Sequence, residues 1–333
     1  MCGTSAPLLA RRYYGCVTLL NLPLARTTVD ADAASRTQPG LFDHLAADPD
    51  TRVLLVQGSL LGLDDGGLAL CNVADLPKGA WQPKQLLYLG RADGLRFLAL
   101  MLPHDPGPDG GGCTPTSGAR LQGLTAGMSF DHLRGVGDQL NDRDAGLSTT
   151  AVALAAWHHR HQRCPSCGEA TEIIHSGWVR RCPVELSLHY PRTDAAVIMA
   201  VTDERDRILL GHAAHWPAGR FSTLAGYVEP GEPLEAAVIR EVAEETGILV
   251  SETIYRGSQP WPFPCSLMLG FHARVRPGTS TEIDVDGDEL TDARFFTRDA
   301  LLSQVSAGEV QLPTRSSIAR ALIEEWYGGT IPS

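Results

Sequence analysis

No stretch of the 333-residue chain holds the roughly 18 consecutive apolar residues that a membrane-spanning helix requires. An excess of positive charge is missing as well. The net charge is −11 and the pI about 5.4, which disfavours electrostatically driven binding to nucleic acid or an anionic membrane, while leaving room for a local basic patch. The opening segment, MCGTSAPLLARRYYGCVTLLNLPLAR, has three arginines and no acid, faintly like a transit peptide. It lacks the basic-then-apolar layout and cleavage site of a secretory signal. Cysteine is sparse, at eight residues: Cys2, Cys16, Cys71, Cys113, Cys164, Cys167, Cys182 and Cys265. Three cluster and the rest scatter, which points to one metal site in a reducing compartment, the cytoplasm, rather than to a disulfide framework. Internal repeats are not visible.

What is present suits a globular protein. The apolar share, 43%, supports a proper core, and the length fits two domains with room for a small insert. TRVLLVQGSLLGL and QLLYLGRADGLRFLALML read as short apolar strands broken by Gly and Asp turns. A Pro/Gly loop follows at 102–118, then a helical stretch dense in Ala and His at 149–163. The expected organisation is a mixed, β-rich N-terminal domain over 1–145, a helix with a cysteine-bearing segment over 146–192, and an α+β domain over 193–333. Nothing catalytic stands out in the first. In the last, strand-like runs alternate with helical patterns at 233–246 and 315–327, which suggests helices on a sheet.

REVAEETG, 240–247, sets Glu241, Glu244 and Glu245 on one face of a helix, at a spacing where like charges mildly repel. The helix is well marked. Pro233 suits its first turn, Glu232 and Glu235 suit the positive end of its dipole, and Gly247 suits a left-handed C-terminal stop. Val238, Ile239 and Val242 should form its buried side, and Arg240 can pair with Glu244 one turn on. A solvated acidic face would account for the charges alone, but more positions are fixed than that. Gly226, Glu232, Arg240, Glu241, Glu244, Glu245 and Gly247, with Val242 and Ile248, fit G-x5-E-x7-R-E-U-x-E-E-x-G-U. GYVEPGEPLEAAVIREVAEETGI is thus identified as a complete Nudix box.

That resemblance implies a loop–helix–loop whose glutamates hold divalent cations on a diphosphate. Mg²⁺ and Mn²⁺ prefer oxygen ligands, relieve the repulsion among clustered carboxylates, and lower the pKa of an attacking water. By resemblance the ligands are Glu241, Glu244 and Glu245, with the Gly226 carbonyl as a further one and Arg240 orienting the carboxylates. Glu245 is the first candidate for general base and Glu289 the second, although a metal-bound hydroxide can dispense with one.

Ten residues past the box comes SQPWPFPCS, where alternating prolines forbid a regular central strand and hold Trp261 and Phe263 at set directions. A rigid edge segment packing two aromatics is one reading. The segment also resembles the SQPWPFPxS array of NADH pyrophosphatases, firmly over residues 150–333 and more loosely before them. Similarity to that subfamily implies hydrolysis of NAD(H) to nicotinamide mononucleotide and AMP, and removal of NAD caps from RNA 5′ ends. It implies substrate contacts from Ser258, Gln259, Trp261 and Phe263. It also implies an adenine stacked between Tyr227 and the Tyr190 of a second chain in a homodimer, Glu289 reaching the metals, and Ala319 lining the adenosine pocket. Plain alternatives exist for each: core-edge tyrosines, a surface acid and a helix former.

The subfamily's zinc ribbon has four cysteines. Here Cys164, Cys167 and Cys182 are present and Glu185 stands where the fourth belongs. Zinc accepts carboxylate or imidazole, so Glu185, His189 or His175 could complete a structural tetrahedron; otherwise the site has decayed. The fold implied is α+β: a C-terminal Nudix α/β/α sandwich on a mixed sheet, after a small zinc ribbon and a β-rich N-terminal domain. Rival functions are a Nudix diphosphatase preferring ADP-ribose or nucleotide sugars, and a non-catalytic nucleotide-sensing regulator, against which the intact box argues.

Overall fold

The computed structural model describes residues 19–65, 67–76, 82–103, 125, 127–285 and 287–332. The opening segment through residue 18 with Cys2 and Cys16, and most of the Pro/Gly loop with Cys113, lie outside them. A continuous apolar run seeds each of the two main sheets, because a strand covered on both faces needs apolar residues at every position. In β1 (Thr51–Gln57), Leu54 and Val56 face one core while Val53 and Leu55 face another across the sheet. Around it lie β2 (Leu60–Asp64), β3 (Gly67–Leu68), β4 (Cys71–Asn72), β5 (Leu86–Ala92), β6 (Leu95–Met101) and β7 (Ser129–His132). The order is β3-β2-β1-β6-β5, with β4 on β1 and β7 on β2. Helix α1 (Leu41–Ala47) covers one face; α3 (Asp142–Arg160) covers the other, after the short α2 (Leu133–Val136).

Helix α3, which contains most of the expected Ala- and His-dense stretch, begins at Asp142 because the Asn141 side chain caps it by accepting from the Asp144 N–H. The expected domain boundary at 145 therefore falls inside this helix, whose residues Ala145, Leu147, Ala151 and Val152 are buried with the first sheet. A small antiparallel sheet follows: β8 (Glu172–Ile174), β9 (Val179–Arg181) and β10 (Leu188–His189).

The second main sheet contains β11 (Asp194–Thr202), β12 (Ile208–Ala213), β13 (Leu224–Tyr227), β14 (Val250–Trp261), β15 (Ser266–Val275) and β16 (Leu290–Phe296). Its order is β14-β15-β11-β12-β16, with β13 on β11. Val197, Met199 and Val201 of β11 pack under α4 (Leu234–Thr246), and Ile198 and Ala200 pack on the other side under α6 (Ile318–Tyr327), next to α5 (Arg298–Ser306). This is the α/β/α sandwich on a mixed sheet. Pro260 is accommodated because β14 is an edge strand. One helix-face expectation fails: Ile239 is exposed, and Ala237 joins Val238 and Val242 in the core instead.

Residue patterns hide a repeat that the topology displays. In the first sheet β1 pairs antiparallel with β2 and β4 and parallel with β6, β6 pairs with β5, and β2 pairs with β7. In the second, β11 pairs antiparallel with β12 and β13 and parallel with β15, β15 pairs with β14, and β12 pairs with β16. The two plans match strand for strand apart from the two-residue β3, which pairs with β2 and has no counterpart among the described residues. The helix α4 between β13 and β14 has no counterpart of its length among the described residues between β4 and β5.

Candidate active site

Helix α4 stops at Gly247, which takes the left-handed conformation at φ +70° and donates its N–H to the Ala243 carbonyl. Its buried residues include two acids, Glu241 and Glu245, while Glu244 faces solvent. Burying a carboxylate is costly unless it is compensated. The sheet makes room for one of them at Gly226 of β13, where an added Cβ would lie 1.8 Å from the Glu241 carboxyl carbon. The Glu241 carboxylate thus rests directly against the Gly226 backbone, and no other residue type leaves that space.

Arg240 organises the acids. Its Nη1 donates to Glu241 Oε1 and Glu244 Oε2, each at 2.8 Å, and its Nη2 donates to the Tyr227 carbonyl at 3.0 Å. Its Nε and Nη2 grip both oxygens of Glu232, at 2.8 and 2.9 Å, and this holds the Glu232 pKa down at about 2. Glu232 also accepts from the Glu229 N–H, which fixes the turn ahead of the helix. Burial raises the Glu241 pKa from its ordinary value, Arg240 opposes this, and the charges of Glu244 and Glu289 push it up again. Glu241 therefore shares one electrostatic neighbourhood with Glu244 and Glu289. That donor set, all oxygen and mutually repelling, fits a hard divalent cation.

A cleft of about 520 Å³ opens next to this cluster. Glu245 and Glu289 line it together with Asp288, and Trp261, Ala319 and Ala225 form apolar walls. Of the array after the box, only Trp261 reaches the cleft. Phe263 packs edge-on against Trp261, with ring centroids 4.9 Å apart, over the core of the first sheet. Gln259 is fully buried; its carboxamide accepts from Leu24 N–H at 3.1 Å and donates to Ser316 C=O at 3.0 Å. Ser258 lines a different groove, beside Leu24 and Thr149. Alternation along β14 puts Ser258 on the opposite face from Gln259 and Trp261, and Gln259 pins the array to both halves of the chain, so that of Ser258, Gln259, Trp261 and Phe263 the cleft lining holds Trp261 alone. Arg134, Trp216 and Arg220 also line the cleft. Sequence reading passed over all three. Trp216 and Arg220 sit in a loop with no motif, and Arg134 comes from the N-terminal half.

Tyr227 and Tyr190 are 56% and 63% exposed, an unusual state for large rings. Tyr227 adjoins the carboxylates through Gly226, and its hydroxyl lies 3.2 Å from Ser266 Oγ. Tyr190 lies in a separate groove beside Trp157 and Arg192. Within one chain the two rings share neither groove.

The three clustered cysteines and Glu185 meet at one point, their ligand atoms all within 4.8 Å of one another. Cys167 and Cys182 sulfurs are 3.5 Å apart, and Glu185 Oε2 is 3.5 Å from the Cys164 sulfur. The Cys167 N–H, foremost, and the Ser166 N–H point at the Cys164 sulfur and lower its pKa to about 6, while the Glu185 N–H donates to Cys182. Such donors stabilise thiolates, the form that binds zinc. His189 is turned to Ser187, and neither it nor His175 belongs to the group. The described cysteines are all free, and no described helix is long and apolar enough to cross a membrane.

Three stretches of the chain match known protein families. Residues 191–315 match the NUDIX domain, 159–184 the NADH pyrophosphatase zinc ribbon domain, and 45–157 the NADH pyrophosphatase-like rudimentary NUDIX domain. The chain is 36% identical over 311 residues, 90% of each sequence, to proteins called NAD-capped RNA hydrolase NudC in Mycobacterium bovis and Mycobacterium tuberculosis. It is 42% identical over 200 residues, 56% of this chain and 43% of the other, to the Homo sapiens NAD-capped RNA hydrolase NUDT12.

Proposed function

The chain belongs to the Nudix hydrolases of the NADH pyrophosphatase type, and on that premise we propose that it cleaves the diphosphate of NAD(H) to nicotinamide mononucleotide and AMP and removes NAD caps from RNA 5′ ends. The observation that carries this reading is the meeting of a buried carboxylate cluster on Gly226 with a cleft walled by Trp261 and Ala319. Glu241, Glu244, Glu245 and Glu289, with the Gly226 carbonyl, would hold Mg²⁺ or Mn²⁺, which when bound neutralises the diphosphate and acidifies a water. Arg240 keeps Glu241 and Glu244 in position. Glu245, largely buried at the cleft wall, is the first candidate to accept the proton of the attacking water, and Glu289 the second. Water adds to one phosphorus, the bridging P–O bond breaks, and each product leaves with one phosphate.

Zinc at Cys164, Cys167, Cys182 and Glu185 has a structural role in this reading, since the cluster lies outside the cleft. A homodimer is supported by the ribbon itself. Val184, Leu186, Leu188 and Tyr190 are all exposed, an apolar patch that a second chain would cover while bringing its Tyr190 to the Tyr227 side of the adenine. Free thiols gathered as metal ligands support the cytoplasm as the compartment.

The test is AMP release from NADH, NAD, NAD-capped RNA and ADP-ribose side by side, with Mg²⁺ and with Mn²⁺. NADH or NAD-capped RNA should be preferred, and Glu245→Gln should lower kcat by at least about 10²-fold, because it swaps an anion for a neutral amide of the same shape. A preference for ADP-ribose would overturn the substrate, and near-normal turnover of the variant would remove Glu245 from the mechanism.

A further inference from the structure

The cleft is lined by charges of both signs. Glu245, Asp288 and Glu289 line it together with Arg134 and Arg220. Elsewhere in the C-terminal half arginines are spent on acids: Arg207 on Asp203, Arg240 on Glu232, Arg298 on Asp206 and Arg320 on Glu324. Arg134 and Arg220 pair with no carboxylate among the described residues. They lie instead against aromatic rings. The Arg134 guanidinium is 4.7 Å from the centre of Phe263 and 5.4 Å from that of Trp261, and the Arg220 guanidinium is 4.9 Å from that of Trp216. Ring contacts hold a guanidinium in place without using its N–H donors.

Both arginines are fixed through the backbone too. The Arg134 carbonyl accepts from Thr314 Oγ1 at 3.1 Å, and the Arg220 carbonyl accepts from His212 Nδ1 at 2.7 Å. Burial against the rings, and then the like charge of Arg220, lower the Arg134 pKa. Two cations are thus gathered at some cost, as the glutamates are, and an anion would relieve it. The diphosphate does not meet this need, because its charge is matched by cations on the carboxylate side. A further phosphate is the group left to recognise, and paired guanidinium donors suit it.

We propose that Arg134 and Arg220 bind a third phosphate, carried on the ribose of the substrate's nucleotide: the first phosphodiester of an RNA chain, or a ribose phosphomonoester. The inference rests on the nucleotide-hydrolase reading and deepens it, giving the N-terminal half a part in substrate choice through Arg134. It is tested by equilibrium binding of three probes to the full chain: AMP, AMP phosphorylated at the 3′ position, and AMP phosphorylated at the 2′ position. At least one phosphorylated form should bind about tenfold tighter than AMP, as expected for charge-assisted hydrogen bonds. A 3′ advantage identifies the RNA chain and a 2′ advantage the phosphomonoester. Arg134→Ala and Arg220→Ala should each erase most of the advantage, and Arg220→Lys should keep part of it. Equal binding of the three probes by the unaltered chain, which needs no variant to fold, would overturn the proposal, as would an advantage that survives both alanine substitutions. A chain that releases no AMP from NADH yet keeps the advantage would support the phosphate site and overturn the hydrolase reading alone.

Discussion

Replacing Gly226 with alanine puts a single methyl group where the Glu241 carboxylate now lies. The new Cβ would fall 1.8 Å from the carboxyl carbon and 2.0 and 2.2 Å from its oxygens, whereas ordinary contact begins at 3.4 Å. The carboxylate must therefore retreat by about 1.6 Å, the difference between those distances. It cannot do so freely, because Glu241 is buried and its Oε1 is held at 2.8 Å by Arg240. A misplacement of about 1 Å at a reacting centre costs on the order of 10²-fold in rate, so kcat should fall by at least that much. The fold should survive. Gly226 does not occupy the left-handed region, so alanine brings no backbone strain, and the cost is the overpacking of one site, about 1–3 kcal/mol. The assay is steady-state AMP release from NADH with Mn²⁺, beside a thermal melt and a titration of Mn²⁺ binding by its paramagnetic resonance. A variant that melts like the parent, binds Mn²⁺ weakly and turns over slowly is the expected result. Near-parental turnover would refute the idea that the Glu241 position matters to the chemistry.

Three further outcomes can be measured. Protein purified without chelators should carry close to one zinc per chain, and Glu185→Ala should lower both zinc retention and melting temperature while Glu185→Cys keeps them; zinc-free parent protein would mark a decayed site. His158 is buried, with Nε2 against the Gly177 carbonyl at 2.8 Å and Nδ1 facing Arg180 at 3.0 Å. Burial lowers its pKa to about 4 from the ordinary 6.5, the Gly177 hydrogen bond opposing and Arg180 assisting, so the unfolded chain binds the extra proton first. Stability from this group is full above pH 6.5 and should fall by up to about 3 kcal/mol as pH drops to 4; urea melts in which His158→Gln shows the same pH slope as the parent would exclude it. Tyr190→Ala should raise KM for NADH about tenfold with kcat retained, as dilution below the dimer constant should too; an unchanged KM and a fully active monomer would show that adenine is held within one chain.

The carboxylate helix was legible because its requirements are local. A first-turn proline, a stop, an apolar side and a set of acids all fall within residues 226–248, and the structure departs from that reading at Ile239 alone of the three apolar positions. The cysteine cluster was legible for the same reason, and of the candidates to join it, Glu185, His189 and His175, the structure brings Glu185 to the group. What failed was long-range. Ser258 and Gln259 sit in a motif that marks the family, but which way a side chain faces on β14 depends on partners such as Leu24 and Ser316, more than fifty residues away in either direction. Arg134 could not be found from sequence at all, since nothing near it in the chain announces a cleft built from the other half.

The duplicated strand plan explains why that half is needed and why no second carboxylate helix of this kind stands among its described residues. Between β13 and β14 the chain has residues 228–249, enough for the thirteen-residue α4. Between β4 and β5 it has only residues 73–85, with Asp75 as the one acid and prolines at 77 and 83. A thirteen-residue helix with its loops does not fit there, and proline removes the N–H donors that would build one. The first sheet therefore keeps the frame without the carboxylates, and its remaining contribution is to shape. Trp261 and Phe263 rest on its core, Gln259 ties β14 to Leu24, and the Thr314 hydroxyl bonds the Arg134 carbonyl where both residues line the cleft. One half supplies the metal-binding chemistry and the other half supplies a wall. A change in that wall should then alter which substrates are held before it alters how fast the diphosphate breaks.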